Sequence, residues 1–416
     1  MSRFCRATVG RRTLGRRTLV AAGSAFAFAP YVARADKKYD PGVSDKEIKL
    51  GHTNPYSGPL SAYGVIGKGI AAYWQMVNDQ GGINGRKIDF ITYDDGFQPP
   101  KTVEMVRKLV EDDQVFAIYQ LLGTATNTVV QKYLNQKKVP QLFVATGASK
   151  WGNPKEFPWT MGWKPDYVTE AAIYAQHIMA NHPSAKVAML YQNDDAGKDY
   201  LNGFTAGFGK DKDKFLVKTA SYEATDPTVD SQIIQLKDSG ADVFFNDCAP
   251  KAAAQSIRKV ADLGWKPAHY LANVSASVAS VLKPAGLDNS KDIITAAYLK
   301  DPTDPQWGNA PDFVEWKTFM AKYMPGANLA DAFYVYAYAV SSNMRWVLTQ
   351  CRDELTRANL MKQAASMHDL VMPLLLPGIK INTSPTDFYP IQSVRLARFD
   401  GETWKLFGDV LSHEGS

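Results

Sequence analysis

Cysteine is scarce in this chain: three residues in 416. Cys5 precedes the first apolar stretch and so is not placed as a lipid-attachment cysteine. Cys248 and Cys351 are too few for a disulfide framework, and the sequence leaves open whether they pair or stay as separate buried thiols. Long hydrophobic runs are also missing. The apolar segment Leu19 to Val32 is roughly 14 residues, short of the ~20 that a spanning helix needs. This predicts a protein that is not membrane-embedded. The usual local traces of enzyme chemistry are absent as well: there is no Gly-x-Ser-x-Gly elbow, His-Glu-x-x-His, Cys-x-x-Cys or complete Walker A loop. The six histidines, at 52, 177, 182, 269, 368 and 413, lack metal-ligand spacing, so neither a metal nor a cofactor is expected.

Excess positive charge is confined to the beginning of the chain. Arg3, Arg6, Arg11, Arg12, Arg16 and Arg17 precede the apolar run, and Ala33-Arg34-Ala35 supplies small residues suited to a signal peptidase. Residues 1–35 therefore read as a cleaved export signal, with the mature chain starting at Asp36. The Arg16-Arg17 pair resembles a twin-arginine signal, although Gly15 replaces the usual Ser or Thr. Removing this leader's seven arginines from the 47 basic side chains leaves 40 against 42 acidic ones. The positive balance thus belongs to the leader and gives no reason to expect nucleic-acid binding.

What remains is an alternation of β-rich and helical segments. Strand-like runs at Ile48 to His52, Ile88 to Tyr93, Val115 to Tyr119 and Gln141 to Ala145 alternate with helical stretches at 62–79, 99–112 and 124–137. After Trp163 the alternation restarts, with helices at 166–181, 196–209 and 229–239 and strands at Lys186 to Tyr191, Phe215 to Tyr222 and Asp242 to Asn246. This pattern predicts an α/β protein of two similar units, each a parallel sheet covered by helices. No repeat is detectable at the residue level. Helices rich in Tyr, Phe and Ala are expected near 311–323 and 330–349, and a strand at Val394 to Phe399.

Within this frame, Gly123-Thr-Ala-Thr-Asn-Thr128 follows a strand and opens a helix, which would aim backbone N–H groups outward toward an anion such as a carboxylate. Ordinary helix capping explains the same residues. The acidic pairs Asp94-Asp95 and Asp194-Asp195 also follow strands, where turn initiation is the simpler explanation. Gly64-Val-Ile-Gly67-Lys68-Gly69 has the wrong spacing for a nucleotide loop and falls inside a helical stretch.

An ordered set of motifs covers essentially the whole mature chain: Ile48-Lys-Leu-Gly-His-Thr-Asn-Pro-Tyr-Ser57-Gly58-Pro59, Ala62-Tyr63-Gly64, Gly81-Gly-Ile-Asn-Gly-Arg-Lys-Ile88, Tyr93-Asp-Asp95, Val139-Pro140-Gln141 and Ala261-Asp-Leu-Gly264. In this order they resemble the type I periplasmic binding proteins typified by leucine/isoleucine/valine-binding proteins. The resemblance implies two doubly wound parallel-sheet lobes joined by a three-crossover hinge, with crossovers near 163, 299 and 388. Lobe 1 would comprise 36–163 plus 300–387, and lobe 2 would comprise 164–299 plus 388–416. A small ligand would be held between them and presented to the membrane permease subunits of an ABC importer in the periplasm, without catalysis.

Carried over residue by residue, the resemblance places the ligand carboxylate at Thr124 and Thr126 and within Ala145-Thr-Gly-Ala-Ser149, that is, at Thr146, Gly147 and Ser149, with Tyr63 packed on the ligand. The second lobe departs from the pattern. Where the family has a tyrosine and a glutamate that grip an ammonium group, this chain offers Cys248 or Ala249, and Asn273. A neutral asparagine cannot neutralise an ammonium, and a buried unpaired charge costs several kcal/mol. Either Asp247 takes over, giving an amino-acid binder with a rebuilt ammonium site, or the ligand is an aromatic or aliphatic carboxylate packed by Tyr63, Trp163 and Tyr222. The family's lobe-one disulfide is missing too, because Phe97 and Leu122 stand at its places. A hydrolase would require Ser149, His52 and Asp94 to converge, and a sensory role in place of transport is left open.

Overall fold

A computed structural model describes residues 37–412, and the predicted export signal lies outside the described residues. The described residues fall in one compact unit. Its main strands build two sheets. The first contains β1 (Glu47–Asn54), β2 (Lys87–Asp94), β3 (Ala117–Tyr119), β4 (Gln141–Leu142) and β5 (Thr160–Met161), all parallel, in the order β2-β1-β3-β4-β5. The second contains β6 (Val187–Gln192), β7 (Leu216–Tyr222), β8 (Val243–Asp247), β9 (Ala268–Leu271), β10 (Ile294–Ala297), β11 (Ser393–Phe399) and β12 (Trp404–Ser412), in the order β12-β11-β10-β9-β8-β6-β7. Its first five strands repeat the 2-1-3-4-5 winding of the first sheet. The expected pair of similar units is therefore present in topology, though not in residue identity. The second sheet is mixed: β11 runs antiparallel to β10, and β12 antiparallel to β11.

The longer helices are α1 (Gly64–Asp79), α2 (Pro99–Arg107), α3 (Thr124–Lys137), α4 (Tyr167–Asn181), α5 (Asp195–Phe208), α6 (Asp230–Asp238), α7 (Pro250–Asp262), α8 (Pro311–Tyr323), α9 (Ala332–Cys351) and α10 (Arg357–Ala364). Most match the expected stretches. Strand β4 is shorter than expected because the backbone turns left-handed at Phe143 (φ 55°), which ends the pleat; β3 begins two residues later than expected and ends, as expected, before a left-handed Gln120 (φ 57°). Helix α9 starts at Ala332, where the Asp331 side chain accepts the Phe333 N–H at 3.1 Å and caps the helix.

The chain crosses between the sheets three times. It leaves the first sheet after β5, returns after β10 to form α8 and α9, and re-enters the second sheet at β11. The apolar stripe of α1, Ile66, Ile70, Tyr73, Trp74 and Val77, explains where α8 and α9 dock. Tyr73 meets Tyr338 edge-on with ring centroids 5.1 Å apart and lies 6.2 Å from Phe319. A Cβ on Gly69 would come within 2.8 Å of Ala337 Cβ, so glycine there allows α9 to approach closely. No helix among the described residues is long and apolar enough to cross a membrane.

The two cysteines among the described residues are free and buried, Cys248 just beyond β8 and Cys351 at the end of α9. Burial pushes the Cys351 thiol up to about 12 and Cys248 well above its ordinary range. The chain beginning at Asp36 should therefore show no thiol reactive toward a disulfide reagent at neutral pH while native, and two after denaturation. A thiol that titrates in the native state would contradict this placement.

Candidate functional site: the cavity between the sheets

In an open parallel sheet the strand order reverses at one point, and the loops at the carboxyl ends of the two flanking strands diverge to leave a crevice. Here the reversals fall between β1 and β3 in the first sheet and between β6 and β8 in the second. At or just beyond the carboxyl ends of these four strands stand Tyr63, Thr124, Asp194 and Asp247, and all four residues line one cavity of about 180 Å³. An apolar cavity of about 150 Å³ accepts benzene, so this one has room for a ring or short chain and a head group.

Helix α3 supplies one wall. Its N-cap is Gly123 at φ 98°, and no side chain caps its first turn. The leading N–H groups and the positive end of the helix are thus left for an anion. Thr124 and Thr146, both lining the cavity, share a hydroxyl hydrogen bond of 2.5 Å beside this helix end. Leu60, Ile66, Phe97, Leu122 and Phe333 form an apolar wall around it. Tyr63 lines the cavity, lies 5.1 Å from the Phe333 ring and donates its hydroxyl to the Val274 carbonyl at 3.1 Å, bridging from the first sheet's loops to the second's.

The opposite wall holds charge. Lys164, 6% exposed, donates from Nζ to Asn273 Oδ1 at 2.7 Å and stands 4.8 Å from the centre of the Tyr167 ring. Burial pushes its ammonium down to about 8, against the opposing pull of Glu170 and Asp247. Glu170 is fully buried behind this wall. It accepts the Asn273 backbone N–H at 2.9 Å and the hydroxyls of Tyr174 and Tyr200 at 2.9 and 3.0 Å. Burial raises its pKa, opposed by Lys164 and these hydrogen bonds. Asp247 is 4% exposed, with Oδ2 unpartnered, and burial followed by the carboxylates of Asp194 and Glu170 holds its pKa far above the usual range. The Asn273 Nδ2 donor is also buried and unpartnered.

Of the residues singled out from sequence, Tyr63, Thr124, Thr146, Asp247 and Asn273 meet at the cavity. The others stand behind its wall. The Thr126 hydroxyl turns back onto the Leu122 and Gly123 carbonyls. Gly147 lets the crossing segment pass, since a Cβ there would lie 2.6 Å from the Pro165 carbonyl oxygen. Ser149 donates its N–H to Asp199 at 2.6 Å, and its carbonyl accepts from Tyr389. Trp163 is fully buried, bonded to Asn343 at 2.8 Å. Tyr222 bonds to Gln192 and to the Ala249 N–H.

Ser149, His52 and Asp94 each have separate partners. His52 is buried, its imidazole pushed down to about 4 by burial, with Nδ1 against the Tyr119 carbonyl, and Asp94 holds the turn at Tyr56 and Ser57. Asp194 caps α5, accepting from the Ala196 and Gly197 N–H groups. Sequence reasoning missed Lys164 and Glu170. The available signal for Lys164 was a lone lysine set between Trp163 and Pro165 in the crossing segment, where every neighbour is buried.

Comparison with known proteins gives consistent results. The family model described as periplasmic binding protein matches residues 47–403. Leu/Ile/Val-binding protein homolog 1 of Brucella suis is 26% identical over 314 residues, covering 73% of this chain and 78% of the relative. Among solved structures, a branched chain amino acid ABC transporter from Thermus thermophilus with bound valine has a TM-score of 0.80 at 13% identity, covering 89% of this chain and 98% of its own. A fatty acid ABC transporter substrate-binding protein from Thermomonospora curvata has a TM-score of 0.76 at 20% identity, covering 91% and 95%. With the cavity at the switch points of two equivalently wound sheets and a family match over most of its length, the chain belongs to the type I periplasmic binding protein family of leucine/isoleucine/valine-binding proteins.

Proposed function

We propose that this chain is the exported, periplasmic solute-binding component of an ABC importer, and that it captures a small aromatic or aliphatic carboxylate lacking an ammonium group. Its two lobes would be 36–163 plus 300–387 and 164–299 plus 388–416, and membrane permease subunits would receive the ligand. The solved relatives do not choose between ligands, because one is described with valine and another as a fatty acid transporter component. The residues around the cavity carry the choice.

The observation that supports this reading is Lys164. Its ammonium stands in the cavity wall, hydrogen-bonded to Asn273, opposite the uncapped start of α3. Each of these groups presents positive charge to the cavity, beside the carboxyl groups of Asp194 and Asp247. A carboxylate is attracted by each, whereas a zwitterionic amino acid would set its own ammonium near that of Lys164 and be repelled. Burial also holds Asp247 toward its neutral form, which weakens it as a ready counter-ion. The second reading, an amino-acid binder, is favoured by the relatives described as Leu/Ile/Val-binding protein homologues and by the unpartnered Asp247 Oδ2.

A thermal-shift screen of the chain beginning at Asp36, against amino acids, aromatic acids and short-chain carboxylates, separates the two. A ligand present at a hundredfold its Kd adds about 2.7 kcal/mol of stability, enough to raise Tm by a few degrees. Shifts are expected with amine-free carboxylates. Shifts with amino acids alone, abolished by Asp247→Ala, would establish the second reading and reject the first.

Lys164→Met should weaken carboxylate capture by about 1.5–3 kcal/mol, the usual worth of a charge-assisted hydrogen bond. The same interaction sets a pH dependence. Below about pH 8 the Lys164 ammonium is present in the free protein and Kd should be flat; above it the proton is lost and Kd should rise. Titration calorimetry from pH 6 to 10 checks this: the Lys164→Met protein should show no such rise, and an unchanged slope in it would remove Lys164 from the site.

A further inference from the structure

The cavity continues past the head-group residues. Seven consecutive residues, Thr295 to Asp301, line it from β10 into the crossing segment, and an extended run of that length spans at most about 20 Å. Facing them are Ala276, Trp404 and Leu406. The Trp404 indole N–H donates to the Ala276 carbonyl at 2.8 Å, which fixes this side. Ala276, Ala296, Ala297, Leu299, Trp404 and Leu406 make most of the arm apolar, with Thr295 and Tyr298 as its polar members; at the far end Asp301 and Asp304 stand beside Lys300, whose ammonium is paired with Asp312 at 2.6 Å. Asp304 is 3% exposed and bonded to Gln306, and the Asp301 carboxylate accepts the N–H of Thr303 at 2.9 Å and its hydroxyl. A cavity of about 180 Å³ drawn out over such a length is a slot the width of one chain or ring.

A ligand the size of valine, anchored at α3, would occupy only the head of this slot. The walls of the arm would then lack contact partners, and close packing is what makes apolar walls favourable. We propose that the cavity is a two-part site for an elongated monocarboxylate: the head group binds between α3 and Lys164, and an unbranched or arylalkyl tail lies in the arm bounded by Ala276, Ala297, Leu299 and Trp404. The proposal rests on the carboxylate reading above. The far end favours a tail that ends uncharged, since Lys300 is already paired with both Asp312 oxygens and a second carboxylate there would face Asp301 and Asp304.

Titration calorimetry of the chain beginning at Asp36 with butanoate, hexanoate, octanoate, 5-phenylpentanoate and octanedioate tests this. Affinity should rise about fourfold for each methylene that enters the arm, and octanedioate should bind at least tenfold more weakly than octanoate. Ala297→Leu narrows the arm and should weaken octanoate and 5-phenylpentanoate by tenfold or more while leaving butanoate within twofold. The unchanged butanoate value certifies the fold. Ala276→Leu, on the opposite wall, gives the same reading if the first variant misfolds.

Equal affinity for butanoate and octanoate, or a uniform loss across the series in both variants, overturns the two-part site while leaving the carboxylate reading intact. Tighter binding of octanedioate than of octanoate overturns the monocarboxylate assignment. Binding of amino acids with none of the carboxylates overturns both readings.

Discussion

A lysine ammonium removed from water costs several kcal/mol unless hydrogen bonds and opposite charge offset it, and much of this site follows from how that cost is met at Lys164. The offset comes from two other stretches of chain. Asn273, after β9, gives the direct hydrogen bond at 2.7 Å, and Glu170, in the first turn of α4, gives the opposite charge from behind. The Asn273 backbone N–H then returns to Glu170 at 2.9 Å. The crossing segment, the helix it leads into and a strand-end loop of the second sheet are thereby held in one arrangement by a single charge. Glu170 is constrained in turn: its oxygens lie within hydrogen-bond reach of the Tyr174 and Tyr200 hydroxyls, and the single Tyr174 proton is shared between Glu170 and the Leu271 carbonyl while its oxygen accepts from the Ala296 N–H. The network therefore reaches the backbone of β9 and β10 on the far side of α4.

Other contacts connect the loops of the two sheets around the same cavity. Tyr63 reaches the Val274 carbonyl. Asp331, besides capping α9, accepts the hydroxyls of Ser277 at 2.9 Å and Ser280 at 2.5 Å. Ser277 lines the cavity, and α9 packs on α1 over the first sheet, so one carboxylate joins a loop of the second sheet to a helix of the first. Each such bond contributes on the order of 1 kcal/mol, which is small beside what filling an apolar cavity provides. Cleft geometry of this kind is set by polar contacts, whereas its stability depends on what lies inside.

The fold was legible because every local signal agreed with it. Alternation of β-rich runs with helical periodicity placed most of the strands of the first sheet and the helices of both sheets to within a few residues, and turn chemistry accounted for Asp94 and Asp194. The site was only half legible. Thr124 could be read, because a small hydroxyl residue at a helix start after a strand has a direct structural meaning, whereas Thr146 was implied only by the family resemblance. Thr126, two residues on, looked equivalent, but helical geometry turns its hydroxyl back onto the Leu122 and Gly123 carbonyls. Lys164 could not be read, since its significance lies in burial beside Asn273 and Glu170, residues distant or unremarkable in sequence. Phe97 and Leu122, noted only as replacing a family disulfide, turn out to be cavity wall.

Backbone strain marks the same place. Phenylalanine rarely adopts positive φ, yet Phe97, after β2, and Phe143, after β4, do so at 60° and 55° at the carboxyl end of the first sheet. The turn at Phe97 lays its ring over Gly123, so a Cβ on Gly123 would fall 2.2 Å from the Phe97 ring. Gly123 is therefore fixed as glycine twice over, by that contact and by its own φ of 98°. A glycine N-cap carries no side-chain oxygen, and α3 accordingly starts uncapped, whereas α4, α5 and α9 are each capped by an aspartate. The strain at Phe97 thus does more than shape a loop: by excluding every capping residue from position 123, it leaves the first N–H donors of α3 without a side-chain cap at the cavity.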